Sequence, residues 1–314
     1  MADATVTVAP APPAYVERMA APAPLPGPAS PRAPTLLYRV ADAAPFVLCH
    51  VAVLGLFWTG VTARAALLAV ALYALRVLGL TLGYHRYFAH RTFKTSRAFQ
   101  FVLAFVAQTG AQRGVLWWAA HHRVHHKRAD LPGDVHSPKL RGFWYSHMGW
   151  IFDGNDDTRW DKIQDFARYP ELRWLNRHWL VPAVALAVAS LAFAGLPGLL
   201  LGFFGSTVAA WHATFLVNSL AHVVGTRRFR TADESRNNWL IALVMFGEGW
   251  HNNHHHYPSS ARNGFYWWEV DVSWYVLRAL AAVGLVWDLR EPPALMLAEG
   301  RRLDALRQSE PMTD

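Results

Sequence analysis

Four long apolar runs, each leading into or away from a knot of histidines, constrain this chain more than any other feature. Residues 43–63 carry no charge, and residues 65–84 carry one, at Arg76. Residues 179–194 and 199–217 form a second pair, broken at Gly195-Leu196-Pro197-Gly198. About 20 apolar residues span a bilayer, and links this short fold each pair into an antiparallel hairpin. A fifth run, 98–107, is cut off by Gln108, Thr109, Gly110, Gln112 and Arg113. That length suits a helix lying on or dipping into the membrane face.

Composition points the same way. With 53% hydrophobic and 17% charged residues, the chain is too apolar and too poor in charge for an ordinary soluble enzyme. Its +8 balance gathers beside the apolar runs, which favours an anionic membrane leaflet over nucleic acid. Cys49 is the single cysteine, so thiolate metal sites and iron–sulfur ligation are excluded, and any metal rests on nitrogen and oxygen. Residues 1–35 are Ala/Pro-rich without apolar periodicity and read as a disordered tail without a signal-peptide pattern. Residues 36–290 form the membrane domain, and 291–314 a polar, amphipathic C-terminal tail. Parity of four spans puts both termini and all histidine clusters on one side. That side holds nearly all the Lys and Arg, so it is cytoplasmic by the positive-inside rule.

The histidines come in three boxes. His85 and His90 end the second span; His121, His122, His125 and His126 crowd one short stretch; His251, His254, His255 and His256 form the third. Residues three and four apart share a helix face, so His122, His125 and His126 point one way and His121 elsewhere. His222 adds another imidazole at the exit of the fourth span. Nine histidines (85, 90, 122, 125, 126, 222, 251, 254 and 255) exceed the roughly six ligands one metal takes. They imply two metals, or one metal with idle histidines. Iron, zinc and copper all suit nitrogen ligands. His50, His178 and His212 read as packing residues. His136 and His147 are open between surface and supporting roles, as Glu248 is between a ligand-orienting acid and an interfacial charge. Arg227, Arg228 and Arg230 read as lipid-facing charge.

The boxes, H-x4-H and two H-x2-HH, resemble those of the membrane fatty-acid desaturase superfamily. The surrounding words, residues 83–94, Asn218-Ser219-Leu220-Ala221-His222, residues 247–255 and residues 141–150, are similar to the acyl-CoA Δ9 (stearoyl-CoA) branch, bacterial type. The likeness covers about residues 36–290. It implies an all-α integral membrane fold of four helices in two hairpins with a cytoplasmic helical cap, in a bacterial inner membrane. It further implies two iron ions held by the nine histidines, with Asn218 reaching one through water, O2 as co-substrate, and zinc as a possible purification artefact. Lys139 and Arg141 fall where basic residues near CoA phosphates are expected. Ala120-His121 replace the Arg-Asp pair of animal-type relatives, leaving acyl-CoA favoured but acyl-lipid and acyl carrier protein open. No flavin, nucleotide or fused cytochrome motif is visible, so a separate ferredoxin, cytochrome or reductase supplies electrons. The alternatives are a hydroxylase or alkane-type monooxygenase on the same fold, and a non-catalytic membrane metal-binding or transport protein. The latter would want ligands near the bilayer midplane.

Overall fold

A computed structural model describes residues 36–154 and 157–309; the Ala/Pro-rich stretch expected to be disordered lies outside them. The first apolar run forms Leu36–Val53 and a short turn of helix, Leu56–Thr59. Gly60, at φ 68°, stops it, a left-handed conformation that glycine adopts without penalty. The Thr62 side chain then accepts from Ala65 N and caps Ala63–Leu78. That helix continues without a break as a π-helix, Gly79–Ala89.

Two helical stretches, Ala63–Ala89 and Val181–His222, are long and apolar enough to cross a membrane. The second is not one rod. Ala194 and Gly195 leave helical geometry, Gly195 at φ 64°, where the glycine-proline break lies in the sequence. Chain direction follows from side-chain contacts. Phe46 stacks on Trp211, His50 bonds His212, and Gly55 faces Leu200, so the first run is antiparallel to 200–212. Arg64 reaches Phe193 O and Arg76 reaches Ser206, so Ala63–Leu78 runs parallel to it. Outward faces are apolar: Leu67, Val70, Val184, Val188 and Phe193 are all more than half exposed. An apolar surface this extensive marks contact with lipid or protein rather than water.

The rest packs as a helical layer at one end of these helices. Arg97–Gln108, capped by Ser96, lies against the π-helix. Gly79 and Gly83 make that contact possible, since a Cβ on either would sit 2.9 Å from the facing backbone. Val115–Arg128 carries the second box. Short helices lead to Pro170–Arg177, and Trp239–Val244, His251–His256 and Val272–Ala282 complete the layer. A two-residue antiparallel ladder pairs Lys94 with Trp287 and Thr95 with Val286. Tyr84, Phe88, Leu116, Ile163, Leu172 and Leu277 are the inner part of its core. The C-terminal helix Ala294–Ser309 docks on this layer, where Tyr266 Oη donates to Leu297 O at 2.9 Å.

Candidate metal centre

The first box owes its geometry to the π-helix. A π-helix bonds residue i to i+5, and His90 N donates to His85 O at 3.1 Å. Residues five apart therefore share a face, and the two rings sit 4.8 Å apart. The H-x4-H spacing, awkward for an α-helix, is natural here.

Val115–Arg128 starts without a side-chain cap of its own. Instead Asn176 Oδ1 accepts from Leu116 N and Trp117 N, and Gln108 Oε1 from Val115 N. This corrects the expectation that the second box faces one way. His122 and His126, one turn apart, join His85, His90 and His254 in one group; His125 joins His222, His251 and His255 in another. The third box divides likewise, with His254 on one side and His251 and His255 on the other. All nine singled-out histidines thus fall into two clusters of five and four, their candidate ligand atoms within 4.8 Å of one another in each.

Within the first cluster the Nε2 atoms form a row: His85–His254, His254–His126, His126–His122 and His122–His90, each at 3.0 Å. In the second, His222 Nε2 and His251 Nε2 lie 3.1 Å apart. His255 Nε2 is buried with no hydrogen-bond partner. A neutral imidazole nitrogen is either donor or acceptor, so protons alone cannot satisfy five in such a row. A cation accepts every lone pair. Metal–nitrogen distances near 2.1 Å put right-angled ligands about 3.0 Å apart, the separation seen here. The residues therefore fit two metal ions, one per cluster.

Carboxylates stand against four of these rings at the opposite nitrogen, three by hydrogen bonds and Glu248 by close approach to His85 Nδ1. Glu248 lies 2.7 Å from His85 Nδ1, Asp134 3.0 Å from His125 Nδ1, Asp130 3.1 Å from His222 Nδ1, and Asp233 2.8 Å from His255 Nδ1. Such pairing fixes the tautomer and leaves Nε2 for a metal. Burial works to raise Asp130, but the His222 ring, Ser137 and the Glu234 amide hold it down at about 2. Asp134 and Asp233 are driven below the usual carboxylate range by His125 and His255 against the same burial. Burial also opposes ionisation of Glu248, which His85 and then Arg86 reverse. Arg86 is itself fully buried, clamped at 3.0–3.1 Å between Glu248 and Asp271. On the imidazole side, burial and then neighbouring histidines lower His90, His122, His251 and His254 well below 6.5. They stand neutral, as ligands must.

Of these partners, only Glu248 is weighed in the sequence reading. Asp130, Asp134 and Asp233 are missed; Asp130 and Asp134 follow the second box by four and eight residues, a usable signal, whereas Asp233 is distant from every box in sequence. The aspartates of residues 153–161 lie elsewhere. Asp153 pairs with Arg141 at 2.6 Å, Asp161 with Lys162 at 2.5 Å, and Asp156 lies outside the described residues. His121 Nδ1 donates to Trp117 O and stacks on that ring, and His256 stacks on Phe229 at 4.0 Å; neither enters a cluster. His136 forms a further group with His125 and Asp134. His50 and His212 do more than pack: with His147 they form a bonded row, at 3.0 and 2.9 Å.

Three cavities meet beside the clusters. An apolar one is lined by Phe46, Trp117, Trp150, Trp179, Trp211 and Phe215. A second shares Trp118 and Phe215 with it and reaches His121, His122, His136 and Asn218. A third shares Trp118, His122, Thr214 and Asn218 and ends at Leu80, Thr81 and Met245. The three are neighbours that share lining residues, and the two inner ones border the histidines. Gln112 Nε2 donates to Thr214 Oγ1 at 3.0 Å in the wall of the second. Asn218 thus borders both inner cavities. Lys139 and Arg141 line none of the three; Lys139 is exposed, 3.5 Å from Glu234.

Fold and site together define a helical, membrane-associated protein with two histidine clusters suited to a metal pair and adjoining apolar cavities beside them. Comparison with known proteins identifies the class further. The family model for fatty acid desaturases matches residues 62–296, and the chain belongs to that family. It is 40% identical over 234 residues to a chloroplastic palmitoyl-monogalactosyldiacylglycerol delta-7 desaturase of Arabidopsis thaliana, covering 73% of this chain and 63% of that protein. It is 38% identical over 251 residues to acyl-CoA 5-desaturase AL21 of Anemone leveillei, 78% and 76% of the two chains. A delta-9 acyl-lipid desaturase of Arabidopsis thaliana is 36% identical over 239 residues, 75% and 76%.

Proposed function

We propose that this protein is an O2-dependent desaturase that introduces a cis double bond into a long saturated acyl chain, at Δ9. The observation that carries the reading is the set of adjoining, mainly apolar cavities beside two clusters of buried imidazoles. Acyl-CoA is the favoured carrier, on the likeness of the box words to the acyl-CoA Δ9 branch. Relatives named for CoA and for lipid substrates, and for positions 5, 7 and 9, keep carrier and position as points for the assay.

In this reading His85, His90, His122, His126 and His254 hold one iron. His125, His222, His251 and His255 would hold the other, and Asn218 would reach one of the two through a water. Two irons would supply the redox chemistry that no side chain offers for an unactivated C–H bond. The rest is positioning by the chain itself. Glu248, Asp130, Asp134 and Asp233 keep each Nδ1 proton away from the cluster. Trp118, Gln112 and Thr214, shared between neighbouring cavities, would set which part of an acyl chain lies against the histidines. Apolar walls keep water from that part.

The membrane reading extends the fold to four spans: residues 43–63, 65–84, 179–194 and 199–217. Support comes from the breaks at Gly60 and at Ala194–Gly195 and from the exposed apolar faces. The cap and both termini then face the cytoplasm of a bacterial cell, in keeping with the distribution of Lys and Arg.

The test is expression with an electron-donor system, followed by gas chromatography of the acyl chains. A new monounsaturated acid is expected. Hydroxylated product instead would assign the chain to a hydroxylase, and no product from iron-loaded protein would end the enzyme reading. His125→Ala is expected to abolish turnover while the protein still inserts in the membrane.

A further inference from the structure

The proposed reaction takes more electrons than the acyl chain gives up. Written in balance, –CH2–CH2– with O2, two electrons and two protons gives –CH=CH– and two waters. The electrons must enter from outside, one at a time, through a surface near the clusters. The C-terminal helix and the 227–236 loop build such a surface.

Arg227, Phe229, Arg230, Thr231 and Arg307 line one cleft. Arg230, Arg301, Arg302 and Arg307 are exposed, and none forms an ion pair among the described residues. Neighbouring acids are largely neutralised. Glu234 is held by Arg227 at 2.8 Å and by Lys139, Asp304 by Arg228 at 2.7 Å, and Asp233 faces inward to His255. Of the acids in these two segments, Glu299 alone is exposed. The face is therefore strongly positive, and it is held rigidly. Arg228 bonds Asp304, Asn253 and Glu269, while Arg307 donates to Arg228 O at 3.3 Å.

The cleft also lies one residue from the second cluster. Arg227 Nη2 donates to Asp233 O at 2.6 Å, and the Asp233 carboxylate accepts from His255 Nδ1 at 2.8 Å. A bonded route thus leads from cleft to cluster through Arg227, Asp233 and His255. Lipid-facing charge, the sequence expectation for these arginines, does not account for their place. Arg228 is partnered by the third box, residues 266–269 and the C-terminal helix, and Arg227 by Thr231, Asp233 and Glu234 of its own loop.

We infer that this basic face docks an acidic one-electron carrier protein, which is oxidised by one electron per encounter and delivers it beside the Asp233–His255 pair. The inference rests on the desaturase reading for the need of a donor. Charge complementarity of this kind sets encounter rate and salt dependence more than contact area does.

The experiment uses full-length, iron-loaded protein in nanodiscs and an acidic plant-type ferredoxin as the probe. Binding is expected to weaken steeply as salt rises from about 50 to 200 mM, as exposed charges are screened. Arg230→Glu, alone and with Arg307→Glu, is expected to weaken binding at least tenfold and to raise KM for reduced ferredoxin. Single turnover driven by dithionite should be unchanged, which separates a docking role from a folding defect. Unaltered ferredoxin binding in both variants would overturn the proposal. So would a rise in KM for acyl-CoA instead, which would reassign the face to the CoA phosphates. Salt-sensitive binding without acyl product would support the docking face and remove the desaturase reading alone.

Discussion

At His125, His222 and His255 a carboxylate accepts a hydrogen bond from Nδ1, so Nε2 faces its neighbours as a bare lone pair. Asp134 shows what this arrangement is worth. It accepts from His125 Nδ1 and from Asp130 N, so it orients a ring and also fixes the turn behind the second box. Asp134→Asn keeps the volume but can present an amide N–H to His125, favouring the wrong tautomer. Loss of such a partner costs roughly 10–100-fold in metal affinity. Iron retained after dialysis against a chelator should fall accordingly while helix content stays unchanged. The nine histidines were legible as candidates because imidazole has few other uses in such numbers. Their carboxylate partners were not, because Asp130 and Asp233 reach His222 and His255 only through tertiary folding.

Among the elements, the π-helix Gly79–Ala89 does most to shape the site. Its packing depends on Gly79 and Gly83, which let the backbone approach Arg97–Gln108. At Gly83→Leu, the first added carbon would meet Leu103 O at 2.9 Å. Overpacking a close contact costs typically 1–3 kcal/mol, so thermal unfolding in detergent should begin several degrees lower. The apolar runs and both chain breaks could be read from residue order, since charge-free length and glycine-proline turns are local signals. The π-turn could not, because it shows only as an H-x4-H spacing that an α-helix would not use. The split of the second box was likewise hidden: a helix wheel groups His122, His125 and His126, and only facing elements divide them.

For the molecule as a whole, neutrality of the buried rings makes stability depend on pH. His90, His122, His126, His251 and His254 have folded-state values well below 6.5. Below about pH 6.5 the unfolded chain therefore takes up protons that the folded, metal-free protein refuses. Stability is full above that pH and is lost progressively as pH falls. Thermal midpoints of metal-free protein between pH 7.5 and 5 should fall steadily, and a flat profile would contradict buried neutral rings. Bound metal should oppose the loss, because protons and metal compete for the same lone pairs. The two clusters also share scaffolding. Val115–Arg128 and His251–His256 each send rings to both. An ion entering either cluster orders the helices from which the other draws its ligands, and so lowers the entropic cost of the second ion. Loading should then be cooperative: an iron titration should give a Hill coefficient above one, with singly loaded protein scarce at every stage.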